Sequence, residues 1–138
     1  MNQIYKSNHQ IISHDPDKSY LYLEFIDEDQ SMSKDTFKKE MIVYRDAVVK
    51  HNISLVLSDS RRSNFIMTPD IQEFIATEVF PYTIQHLSKI AFVMPWNLIQ
   101  KIAMEQMIEE YEVKDTGRKL ISRYFKDFDE AQNWLFSD

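Results

Sequence analysis

The densest group of reactive side chains in this sequence is Ser58-Asp59-Ser60-Arg61-Arg62-Ser63-Asn64. Serines beside an acid suggest nucleophilic catalysis, and paired arginines suggest forked recognition of an anion or a carboxylate. A third reading is a solvated connection that Asp59 fixes by hydrogen bonds. No glycine-flanked nucleophile elbow surrounds the serines, and no histidine is placed to act as their base. The segment follows the branched run Ile53-Ser-Leu-Val-Leu57. Open parallel sheets usually hold their ligands there, beyond the carboxyl ends of the strands. The expectation is a noncatalytic partner-binding loop made of Ser58, Asp59, Ser60, Arg61, Arg62 and Ser63.

Thr68 precedes Pro69, a pairing that suits a helix cap followed by the first helical residue. Its hydroxyl is also a candidate phosphoacceptor, beside Arg61 and Arg62 if the preceding loop folds back. The histidines, His9, His14, His51 and His86, do not have the spacing of a metal-binding helix pair. Glu105, Glu109 and Glu112 share a helix face, which reads as a surface or partner face rather than a metal site. Phe65, Met94 and Trp96 fall near strand ends and are candidates for a cleft rim. Neither a metal nor a cofactor is expected.

Composition excludes more. The chain has 138 residues, a net charge of -6, 43% hydrophobic residues, one glycine and no cysteine. Disulfides, thiol nucleophiles and cysteine metal sites are therefore ruled out. Phosphate-cradling loops need several glycines, so Gly117 alone cannot build a conventional nucleotide site. Net negative charge argues against nucleic acid as a partner. No run approaches the roughly 20 apolar residues that cross a bilayer, and the first residues do not read as a signal peptide. A cytoplasmic protein with no membrane insertion is expected.

The elements that must position these residues alternate. Strands are expected over Gln10–Ser13 and Ser19–Ile26, joined by the turn-forming His14-Asp15-Pro16-Asp17-Lys18. Leu21, Leu23 and Phe25 face the core, with Tyr20 and Tyr22 on the other side. Ser33 caps a helix whose inward stripe is Phe37, Met41, Tyr44 and Val48, ending near His51 and Asn52. A covered strand over 53–57 leads to the Ser58–Asn64 loop and to a helix carrying Ile71, Phe74, Ile75 and Val79. A strand over 89–94 precedes an Asn97-capped helix with Leu98, Ile102, Met107 and Tyr111. A last strand over 120–125 and a helix opened by the Asp127/Glu130 capping box close the chain. The fold class is α/β: a mostly parallel central sheet with an antiparallel N-terminal strand and helices packed on it. Residues 1–9 read as an N-terminal extension to one domain over 10–138.

Gln10 to Asp138 resembles the STAS-like, or SpoIIAA-like, domains of bacterial anti-sigma-factor antagonists, and most closely the poorly characterised small branch of that family. The resemblance rests on the initial strand pair and on Ile53-Ser-Leu-Val-Leu-Ser-Asp-Ser60. It also rests on Phe65-Ile-Met-Thr68, Arg123-Tyr-Phe, Asp129-Glu-Ala and Trp134-Leu. In the antagonists an aspartate precedes a phosphorylatable serine at a helix start, and a second serine and a glycine follow. Here Thr68 holds the acceptor position, while Met67, Pro69 and Asp70 replace the residues around it. The resemblance implies a noncatalytic regulatory module that docks another protein. Comparison of some relatives with lipid-carrying domains implies a rival reading, a carrier or sensor of a small apolar ligand. A serine-loop hydrolase is the remote third. A homodimer is a further expectation, because twofold dimers are the commonest soluble oligomers.

Overall fold

Strict alternation along Tyr20-Leu-Tyr-Leu-Glu-Phe-Ile-Asp27 sends one set of side chains to each face of a sheet, and this strand is the pivot of the fold. A computed structural model describes residues 1–94 and 120–137. Among them one six-stranded sheet runs β1 (Asn2–Lys6), β2 (Gln10–Asp15), β3 (Tyr20–Asp27), β4 (Leu55–Ser63), β5 (Lys89–Val93) and β6 (Ile121–Phe125), in sequential order. The pairs β1–β2 and β2–β3 are antiparallel, and the pairs from β3 to β6 are parallel. The expected mixed sheet is present, with two antiparallel pairs at its start.

The outer pair, β1–β2, was the unexpected one. Asn2–Lys6, read as part of an extension, pairs with β2 as an edge strand. It is largely exposed and offers little hydrophobic signal, as edge strands often do.

Helices α1 (Lys34–His51), α2 (Pro69–Glu78) and α3 (Phe80–Thr83) cover one face. Their apolar stripes meet Leu21, Leu23 and Phe25 of β3, Val56 of β4, and Ile90 and Phe92 of β5 in the larger core. Ser33 accepts from the Thr36 N–H at 3.1 Å at the start of α1. Asn52 ends that helix in the left-handed region, φ 50°, where asparagine is among the few tolerated residues. Met32, just before the cap, and Phe37, at the fourth helical position, are both buried, as in a hydrophobic staple.

Helix α4 (Phe128–Leu135) lies on the opposite face. Its Ala131 and Leu135 pack with Tyr20, Leu57, Ala91 and Val93. Tyr20 is fully buried, edge-on to Phe136 at 5.0 Å, and burial pushes its phenol up to about 12. Asp127 caps α4, but its carboxylate accepts from the Asp129 N–H at 3.2 Å rather than from Glu130. The expected Asn97-capped helix and its Glu105, Glu109 and Glu112 lie outside the described residues.

At the foot of α1 the His14 and His51 rings meet at 4.4 Å. Burial, then the charges of His14 and Lys50, holds the His51 imidazole below its usual 6.5. A depressed histidine favours the neutral form in the folded state. The stability it contributes is therefore complete above pH 6.5 and is lost as pH falls below it. Urea midpoints at pH 7.5 and pH 5 should differ more in the native chain than in His51→Gln.

Candidate functional site

The Ser58–Ser63 segment is not a loop. It is the second half of β4, paired in parallel with β3 through Leu23↔Ser58, Glu24↔Asp59, Ile26↔Arg62 and Asp27↔Ser63, with a register shift between Glu24 and Ile26. Polarity suggested a connection, but the two neighbouring strands supply backbone partners that hold a polar segment extended. The pleat then divides it. Ser58, Ser60 and Ser63 turn to the helix-covered face, whereas Asp59 and Arg61 turn to the face that carries α4.

Asp59 and Arg61, two residues apart, form a closed unit. Arg61 donates through Nε to Asp59 Oδ1 at 3.0 Å and through Nη2 to Oδ2 at 2.7 Å. The Arg61 backbone N–H reaches Oδ1 at 3.1 Å and the Tyr22 hydroxyl reaches Oδ2 at 2.8 Å. The Asp59 side chain is 3% exposed against 43% for Arg61. These bonds hold the Arg61 guanidinium well above its usual range. Burial, followed by Asp59, pushes the Tyr22 phenol far up as well. Phe128 stands edge-on to Tyr22 at 5.2 Å and beneath Arg61 at 6.0 Å. Arg62 bridges Glu24 at 3.3 Å and Glu28 at 3.1 Å. Both arginines expected to engage a partner thus have acidic partners within the chain, Arg62 in an exposed setting.

Thr68 does occupy the N-cap position of α2, but its hydroxyl makes no capping bond. It donates its proton to Asp70, a charge-assisted O–H···O⁻ bond of the stronger kind. Lys34 closes the same carboxylate at 3.1 Å. The Thr68 hydroxyl, then Lys34, holds Asp70 down at about 2. The arginines that would have accompanied a phosphate here are paired with Asp59, Glu24 and Glu28.

On the helix-covered face the serines border an apolar cavity of about 60 Å³. Leu23, Phe25, Val56 and Phe92 form its floor on the sheet, and Met41, Ile75 and Phe80 form its roof. Phe65 and Met67 close one side, with Phe65 stacked on Phe37 at 4.3 Å and 7°. Of the three expected rim residues, Phe65 lines this space. Met94 is buried outside its lining, and Trp96 lies outside the described residues. The signal for the cavity was available in part: Ser58 and Ser60, at a spacing of two in a strand, must share a face with Val56.

Among the described residues no group of three His, Asp or Glu side chains is placed to hold a metal ion. Nor is any described helix long and apolar enough to cross a membrane. Fold and site together define an α/β protein with a mixed sheet, helices on both faces, and a serine-edged apolar cavity on one of them. Comparisons with protein-family models, curated proteins and solved structures gave no match.

Proposed function

We propose that this protein is a noncatalytic, cytoplasmic binding module, a carrier or sensor, whose cavity receives a small apolar ligand. The carrying observation is the cavity itself, an apolar space between sheet and helices, lined by residues of the larger core. Protein interiors pack densely enough that voids larger than a water are few. The noncatalytic part of the reading is supported by Asp59, the nearest acid in sequence to the serines. It points to the opposite face and is closed by Arg61 and Tyr22.

A second reading, regulatory docking of another protein, is favoured by Ile66. It is 53% exposed between the cavity residues Phe65 and Met67. In a sensor the two readings join, because a ligand that moves Phe65 or Met67 moves Ile66 as well. The STAS-like resemblance is consistent with such a module and is offered as part of the same proposal.

Xenon is a suitable apolar probe. Titrated into methyl-labelled protein, it should shift Met41, Met67, Ile75 and Ile90, and leave Leu57 and Leu135 on the other face unmoved. Ser60→Leu, which fills the cavity from its edge, should abolish the shifts without lowering Tm. Equal shifts on both faces, or none, would overturn the reading.

A further inference from the structure

Four hydroxyl-bearing residues line the cavity among the described residues, Ser58, Ser60, Ser63 and Tyr44; Tyr44 already has an interaction of its own, so the state of the three serines decides what chemistry an occupant must bring. Ser63 Oγ accepts from the Phe65 N–H at 3.3 Å, and Ser60 Oγ points to the Val93 carbonyl at 3.5 Å. The Ser58 residue is only 7% exposed, lines the cavity, and its hydroxyl has no hydrogen-bond partner among the described residues. Its oxygen is not one of the side-chain atoms sealed inside the protein without a partner; it is reached from the cavity, so its partner comes from what fills that space.

Resting on the cavity reading above, we propose that the ligand is a compact carbonyl compound, a short ketone or aldehyde, whose oxygen accepts the Ser58 proton. A ketone brings an acceptor and no donor, so the single Ser58 proton satisfies both groups. An alcohol brings a second O–H that must find its own acceptor among Ser60, Ser63 and Tyr44 on the lining, a bond the carbonyl does not need.

A carboxylate fits no better, since no Lys, Arg or His is among the described residues that line the cavity and an unpaired buried charge is far more costly than a neutral group. Size points the same way. A dry cavity of about 150 Å³ accepts benzene, so a cavity of about 60 Å³ suits a molecule well below benzene in size.

Acetone and isobutene have the same shape and differ in that one accepts a hydrogen bond. Their affinities, measured by methyl-shift titration in the native chain and in Ser58→Ala, give a ratio from which desolvation of each probe cancels. The acetone-to-isobutene ratio should fall about fivefold in Ser58→Ala. The carbonyl stretch of bound acetone should move to higher frequency in the variant as its hydrogen bond is lost. Binding of isobutene with an unchanged ratio would overturn the carbonyl assignment and leave the cavity reading standing. Binding of neither probe, with shifts no larger than those of exposed methyls, would overturn both.

Discussion

Replacing Arg61 with alanine should destabilise the protein by about 2–3 kcal/mol, although Arg61 is a partly exposed residue in a segment that reads as a surface loop. The cause lies in Asp59. Its carboxylate is buried and receives two of its four hydrogen bonds from the Arg61 guanidinium. Removing that group strands an anion away from water, and breaking a buried pair from one side generally costs more than the pair contributes. Two bonds survive, from Tyr22 and from the backbone N–H of residue 61, and solvent reaches the vacated space. Both keep the loss below the upper range for such pairs. Arg62→Ala is the control: it breaks contacts to Glu24 and Glu28 in an exposed setting and should leave Tm unchanged, because exposed ion pairs are screened. The double variant Asp59→Leu, Arg61→Met should recover most of the loss, since apolar residues of similar volume often replace a buried pair at little cost. Urea unfolding of the four proteins measures all of this. An Arg61→Ala variant as stable as Arg62→Ala would return Arg61 to the role of a free docking residue.

What could be read from the sequence followed from periodicity, and what could not followed from pairing. The stripe Phe37, Met41, Tyr44 and Val48 and the alternation of β3 are properties of single segments, so α1 and β3 stand close to where they were expected. The polar half of β4 carries no such property. Its extended form comes from being placed beside β3 and β5, which no local pattern records. β1 is similar, since Asn2–Lys6 is a strand because β2 lies next to it. The site suffered from the same limit. Reading Ser58–Ser63 as a loop put serines, acid and arginines into one cluster. The pleat separates them into a hydroxyl edge facing a cavity and an ion pair facing α4. Once the segment is recognised as a strand, Asp59 and Arg61 at a spacing of two identify their own pairing.

The other large effect is expected at Glu40, a carboxylate that is 6% exposed and has no cation beside it among the described residues. It lies three residues after Phe37 and four before Tyr44, on the buried stripe of α1, where a glutamate survives only if its oxygens are satisfied. They are: Tyr5 donates to Oε1 at 3.0 Å, and Ser7 and Gln10 donate to Oε2 at 3.1 and 2.9 Å. All three donors belong to β1, β2 or the turn between them. The same Ser7 oxygen accepts from the N–H groups of His9 and Gln10 at 3.1 Å, so Glu40 ties the hairpin turn to the helix. Glu40→Ala should cost about 3 kcal/mol and should expose β1 to proteolysis before the rest of the chain. Glu40→Gln should fall between the two, because its amide can accept at one atom but meets a donor with the other. The Tyr5 phenol supplies a local readout. Burial, then its bond to Glu40, holds it above the usual 10.0, and loss of the acceptor should bring its titration downward. If Glu40→Ala unfolded at the native midpoint with Tyr5 unmoved, the carboxylate would not be what holds β1, and that strand would depend on its ladder with β2 alone.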